Sequence, residues 1–490
     1  MSYDVVIIGA GPSGIAAAAR LGHFGAKVCL VEAHSRPGGL NSWHHVRGHE
    51  ISSGLHAFTN YVPSGKGGPL GRLLRQLRIR FSDLGLRPQR RSRIRFPGVD
   101  LAFSNDAELI RQQIAERFPR EADSFDRFRA RINATDEGEI TSRQTSARDV
   151  METYIRDPLL ADMLFCPVLF YGGPGGVGDG RDAGRVCPDM DWLLFCVVWK
   201  CIFESGFAYP AHGVRPLWEN LLDRFKADGG DVRLGCRVDS LVVRGGRVAA
   251  AVTADGGEIR GDIFFSSAGG RETEQLLRKE RDPSSQSIPS GEIIGEAGEI
   301  PAGTISIAEG IAVLDVPAAE CGIEDTTVFY SFDEQFRFRR PDGLVDASSG
   351  VICAPGNYEG IDERIVKVTQ LASYPAWRGL SADGYANGKR QTGEGMAVAL
   401  EKLGATLRKP QGVPGKFGGF DDLFTPMTLQ RYALHAEGAL YGSPMNSRSG
   451  ATSCANLFLI GTDQGFHGIV GAMLSGVAMA NMQYLSQKTT

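Results

Sequence analysis

The feature that most constrains this chain is a run of apolar residues that breaks, within fourteen positions, into regularly spaced glycines. Asp4-Val-Val-Ile-Ile-Gly-Ala-Gly-Pro-Ser-Gly14 reads as a buried strand turning into a helix that continues through Ile15 to Leu21. Gly9 permits the sharp turn, Gly11 a close approach of backbone to a pyrophosphate, and Gly14 tight packing of helix on strand. A second apolar run, Lys27 to Val31, ends in Glu32, which lies 32 − 14 = 18 residues past the last glycine, where an acid that holds a ribose falls. The segment therefore predicts a βαβ unit with a dinucleotide on its helix N-terminus.

Length and composition bound the rest. At 490 residues the chain exceeds the roughly 250 to 300 residues that one core supports, so two domains are expected. A net charge of −4 with 22% charged residues argues against a nucleic acid partner. Nine cysteines are scattered without a CxxC pair, so no metal site and no dithiol centre is expected, and a reduced, cytoplasmic compartment fits. The first strand begins near residue 3, so no secretory signal is expected ahead of it, and no apolar run reaches the roughly 20 residues of a membrane span.

Periodicity organises the middle of the chain. Residues 70–79 and 106–128 carry helical spacing, and 129–146 reads as a solvated helix end and loop. The most apolar stretches, 158–171 and 192–199, suit either the wall of an apolar pocket or plain core helices. They flank a glycine-rich loop from Gly172 to Gly184. A helix over 217–227 precedes strands near 232–238, 240–243, 247–253 and 263–270, joined by turns at Arg244-Gly-Gly-Arg247 and Asp255-Gly-Gly257. Residues 280–300 read as a mobile connection. Strands are expected over 304–314, 327–338 and 351–354, and helices over 362–373 and 396–403. Near the end, Asn456 to Asp463 is a buried strand closing on Gly461 and an acid. A helix then starts among glycines with its backbone N–H groups free for an anionic or electron-rich partner.

Together, Gly9 to Gly14 with Glu32, Pro37-Gly38-Gly39, Gly54-Leu55-His56, Pro210 to Leu217, and Gly461-Thr-Asp463 with its glycine-rich helix start resemble the flavin-dependent amine oxidase superfamily. Within it, the likeness is to the phytoene desaturase and carotenoid isomerase branch. The resemblance implies an α/β fold: a discontinuous Rossmann-type FAD-binding domain of the glutathione-reductase kind (1–60, 205–275 and 441–490) and a second α+β substrate domain (61–204 and 276–440). It also implies FAD as cofactor. Gly9, Gly11, Pro12, Ser13 and Gly14 would cradle the pyrophosphate, and Glu32, followed by Ala33, would hold the adenosine ribose. Val238 would reach the adenine through its backbone, and Gly461 and Asp463 would meet ribityl or pyrophosphate oxygens. Arg36, Gly38, Gly39, Leu40, Gly54, Leu55 and His56 complete the implied site, with Gly468, Ile469, Val470 and Ala472 at the N1/O2 edge of the flavin. That last placement makes physical sense, because reduced flavin carries negative charge there and a helix N-terminus stabilises it. Many relatives carry Arg where this chain has Leu40 and His34, so Arg36 or Arg47 is the expected substitute.

The activity so implied is desaturation or isomerisation of a long apolar isoprenoid, a carotenoid precursor, by hydride transfer to flavin N5. No catalytic residue is obligatory for it. His56 and then His467 are the ionisable residues expected near the flavin, each with a structural hydrogen-bonding role as its alternative. Electrons would leave to oxygen or a quinone, since no second dinucleotide motif serves NAD(P)H. A lipid-borne substrate implies contact with a membrane surface, for which the basic run Arg87 to Arg95 is a candidate beside the commoner reading of a solvated loop. Two other readings stay open: an amine or amino-acid oxidase, with Tyr330, Arg431 and Tyr432 as candidate cage and anchor, and a non-enzymatic prenyl-binding escort on the same fold.

Overall fold

In the computed structural model, residues 2–135, 145–174, 176–178, 189–278, 300–412 and 415–488 are described. The expected loop over 136–144, most of the glycine-rich segment after Gly173 and the connection over 280–299 lie outside them. The strand Ser2–Ile8 sits at the centre of a seven-stranded sheet, between Val28–Val31 and Glu258–Ser266, parallel to both. Its apolar side chains from Val5 to Ile8 are buried on both faces, which explains a continuous rather than alternating pattern. Asp231–Arg233 extends the sheet on one side, Arg247–Thr253 and Val238–Arg244 on the other, and Leu457–Leu459 pairs beside Glu258–Ser266. Gly245 and Gly246, both at positive φ (56° and 73°), make the hairpin turn between the last two of that meander. This is a Rossmann-type sheet assembled from three separated stretches of chain.

A second sheet of seven strands runs in the order Asp422–Phe424, Ser306–Val313, Ile365–Ala372, Ser349–Cys353, Thr327–Ser331, Ser92–Phe96 and Val99–Phe103. Its members are antiparallel except Thr327–Ser331 beside Ser92–Phe96. Alternation divides its strands between two buried faces. Ala308, Ala312, Val366 and Val368 pack with Met396, Ala399 and Leu400 of the helix Ala382–Lys402, while Ile307, Glu309 and Thr369 face a cavity.

Several expectations are corrected. Residues 362–373 form no helix; Ile365–Ala372 is a fully buried central strand. The helix expected over 396–403 begins at Ala382. The helical run 106–128 is two helices, Ala107–Arg117 and Ala122–Asn133, separated around Pro119. The strand expected over 327–338 ends at Ser331. The apolar stretches are helices Pro158–Gly172 and Trp192–Trp199, N-capped by Asp157 and Asp191, and they build core: Phe128, Phe165, Phe195 and Trp199 are fully buried together. Of the two stretches only Phe170 and Tyr171 reach the cavity. The basic run is mostly strand rather than loop: Arg91 and Arg93 pair with Asp325 and Arg95 with Asp100, while Arg87 and Arg90 are exposed. No helix among the described residues is long and apolar enough to cross a membrane.

Candidate functional site

One cavity of about 1410 Å³ connects the glycine turns of the first sheet with the floor of the second. Of the residues expected at the cofactor, all but Gly14 and Gly38 line it. Those two act from behind. A Cβ on Gly14 would lie 2.0 Å from the Gly9 carbonyl oxygen, and Gly38, at φ +108°, donates its N–H to the Ala10 carbonyl at 2.7 Å.

Two helices present bare N-termini to the cavity. The helix Pro12–His23 starts at Gly11 and the helix Gly468–Ala480 at His467; neither has a side-chain cap or an acid in its first turn. Their free N–H groups and dipoles favour negative charge at both places. Gly39 faces Gly11 so closely that a Cβ on it would sit 3.4 Å from the Gly11 Cα. Glu32 lies at the far end, its Oε2 accepting from Ala10 N at 2.7 Å and its Oε1 from His34 N at 2.8 Å. Burial pushes this carboxyl up, and the two N–H groups oppose that.

Asp463 is buried between loops. Its Oδ1 accepts from Ser443 N at 2.8 Å, its Oδ2 from Gly270 N, and Gly442 leaves room for it where a Cβ would lie 2.3 Å from Oδ1. Burial raises its pKa to about 6 against the Gly270 hydrogen bond. An acid whose folded pKa lies above its unfolded value costs stability as pH rises between the two. Stability should therefore fall from about pH 4 to 6, and Asp463→Asn should flatten that stretch of a Tm-against-pH curve. Equal slopes in the two proteins would show that Asp463 does not titrate as placed.

The histidines separate. His467 is buried, packs edge-on to Tyr441 at 5.7 Å, and burial lowers its pKa to about 4 against the opposing Gly172 backbone, which keeps it neutral. His56 instead meets Glu309 Oε2 at 3.0 Å and Thr369 Oγ1 at 3.1 Å through its Nε2. Glu309 and Thr369 stand opposite each other in register on adjacent strands. Burial would raise the Glu309 carboxyl, yet the His56 hydrogen bond and the nearby Lys367 charge hold it down at about 2. The substitutes for the missing arginines also divide. Arg36 lines the cavity and donates to Trp43 O at 3.1 Å, whereas Arg47 is bound away to Asp421 at 2.7 Å. The candidate amine cage does not assemble either: Tyr330 is sealed in the second core, accepting from Gln370 Nε2 at 3.0 Å, while Tyr432 is 54% exposed at the cavity rim.

Residues 12–263 match the family described as flavin containing amine oxidoreductase, a little over half of the chain. The chain belongs to that family. As a flavin containing amine oxidoreductase it takes FAD, and the cavity fits that group: a cradle whose glycines cannot carry side chains and two uncapped helix ends. This amine oxidoreductase is 21% identical over 519 residues to the chloroplastic prolycopene isomerase of Daucus carota, covering 98% of this chain and 79% of the isomerase. It is 26% identical over 309 residues to the neurosporene-forming phytoene desaturase of Rhodobacter capsulatus, spanning about half of each (56% and 54%). An oxidoreductase structure from Methanosarcina mazei shares the fold at TM-score 0.64 with 14% identity, over 97% of this chain and 99% of that one.

Sequence reasoning missed Glu309, Lys367 and Thr369. A signal existed for the first: the one charged residue in the largely apolar run Ile305 to Leu314. Lys367 and Thr369 carried none, because their segment was assigned the wrong period.

Proposed function

We propose that this oxidoreductase desaturates or isomerises a long apolar isoprenoid of the carotenoid-precursor class. The observation that carries the proposal is the cavity itself. Single small-molecule sites run to about 300–1,000 Å³, and this one continues from the nucleotide cradle into a chamber walled by Phe170, Tyr171, Ile307, Val351 and Phe424. The named relatives, an isomerase of prolycopene and a phytoene desaturase, support the same substrate class.

When bound, FAD supplies a hydride acceptor at N5. The chain's part is to hold and align. Glu32 would take the adenosine ribose and Val238 the adenine; the Gly9 to Gly14 turn would cradle the pyrophosphate, with Arg36 beside it. Asp463 and Gly461 would meet ribityl or pyrophosphate oxygens, and the Gly468 to Ala472 helix start would stabilise negative charge on the reduced flavin. The apolar chamber excludes water and lays the substrate carbon against the flavin. Oxygen or a quinone serves as acceptor, and substrate enters from a membrane surface.

Anaerobic mixing tests the reading. A polyene precursor delivered in detergent should bleach the visible flavin band, while amines and amino acids should leave it unchanged. Bleaching by amines alone would overturn the substrate class.

A further inference from the structure

The mechanism above leaves a group of buried polar side chains unused on the floor of the chamber. His56, Glu309 and Thr369 touch one another through His56 Nε2, Glu309 Oε2 and Thr369 Oγ1 at 2.9 to 3.1 Å. Glu309 is 1% exposed, and its other oxygen, Oε1, has no partner. A carboxylate is expensive to bury half-satisfied, and an apolar substrate chamber does not call for one. The same neighbourhood fixes the His56 backbone: the Tyr358 hydroxyl donates to its carbonyl at 3.1 Å and the Cys353 thiol at 3.4 Å. Lys367 Nζ, 1% exposed, donates to Ser52 O and Leu55 O just upstream.

We infer that His56 is the proton-accepting group of this site, with Glu309 and Thr369 as its positioning residues. Nε2–H donates to the Glu309 carboxylate, which leaves the lone pair on Nδ1, and the side chain is 16% exposed on the cavity wall. The inference rests on the oxidation proposed above. As a substrate CH–CH unit becomes C=C, one C–H bond breaks with its electron pair leaving as hydride, which reduces the bound FAD. The neighbouring C–H bond breaks with its pair forming the new double bond, and its proton passes to Nδ1. The imidazolium so formed sits against an ionised carboxylate with a spare oxygen, the arrangement by which a buried acid stabilises a protonated histidine. The charged and titratable groups around it are Glu309, Lys367, the Tyr358 hydroxyl and the Cys353 thiol, with Glu363 and His44 beyond, the latter two within electrostatic reach of Lys367.

Two readouts on the FAD-loaded protein test this. His56→Gln and, as a second variant, His56→Ala should keep their flavin but bleach about a hundredfold more slowly at neutral pH, with imidazole partly restoring the Ala variant. Glu309→Gln should keep its flavin but slow bleaching about tenfold, with Glu309→Asp partly restoring the rate, because the carboxylate that holds the ring is gone. Independently of any substrate, diethyl pyrocarbonate should carbethoxylate His56, read by mass spectrometry, and Glu309→Gln should slow that reaction. Bleaching within about threefold of wild type in both His56 variants, or a His56 that resists carbethoxylation, overturns the inference. If amines rather than polyenes bleach the flavin, the substrate class fails and the variants are scored on the amine. If nothing bleaches it, the carbethoxylation rates decide alone.

Discussion

Gly14→Ala is expected to yield a protein that has lost its flavin and about 3 kcal/mol or more of stability. The added methyl has nowhere to go: its carbon would lie 2.0 Å from the Gly9 carbonyl oxygen and 3.4 Å from Ile7 Cγ2. Overpacking against side chains costs typically about 1–3 kcal/mol, and backbone yields less readily than a side chain. Relief requires the helix Pro12–His23 to lift from the strand Ser2–Ile8, which moves the bare N-terminus away from the pyrophosphate position. Gly395→Ala is the control. It lies inside the helix Ala382–Lys402 with nothing within 4 Å of its Cβ, so the same change should stabilise by about 0.5–1 kcal/mol. Flavin absorbance per protein and urea unfolding measure both. A Gly14→Ala protein that keeps full flavin and wild-type stability would show that helix and strand are not so tightly opposed.

Lys367→Met should destabilise by about 3–5 kcal/mol, the range for removing one member of a buried charged group. Methionine keeps most of the volume, so the loss would come from polar groups. The carbonyls of Ser52 and Leu55 lose a buried donor, and Glu309 loses a positive charge that holds its carboxyl down at about 2. The sign of the pH effect follows. Because the folded pKa of Glu309 is depressed, its contribution is complete above the unfolded value near 4.5 and is lost as pH falls through about 2. Without Lys367 that loss should begin at higher pH, so acid unfolding of the variant starts earlier. Urea midpoints at neutral and acid pH check this, and unchanged midpoints would mean that Lys367 is spectator to the cluster.

The nucleotide half of the site was legible in sequence because backbone geometry dictates it. A turn at φ +96° at Gly9 and an atom-tight contact at Gly14 admit few other residues, and the strand–glycine–helix order carries their meaning. The floor of the second sheet was not legible. In Ile365-Val-Lys-Val-Thr-Gln-Leu-Ala372 only Val366 to Thr369 alternate; Gln370 then stands on the face of Val366 and Val368, and Leu371 on the face of Lys367 and Thr369, because both faces of this strand are buried. Gln370, which donates to the Tyr330 hydroxyl in the second core, thus broke the two-residue period that Lys367 and Thr369 had begun. Glycines hid the first half of the helix Ala382–Lys402 in the same way. At Gly393 the reason is close packing: a Cβ there would lie 2.1 Å from the Phe417 carbonyl oxygen.

The cradle is also a matter of timing. The helices Pro12–His23 and Gly468–Ala480 cross so closely that a Cβ on Gly476 would lie 2.0 Å from the Ser13 carbonyl oxygen, so each completes the wall of the other. At roughly 5–20 residues per second, a ribosome needs tens of seconds to travel from one helix to the other. Through that interval the first βαβ unit waits on the ribosome with half a binding site and an open apolar flank. A product stalled before residue 468 is therefore expected to hold no flavin, read from its visible absorbance.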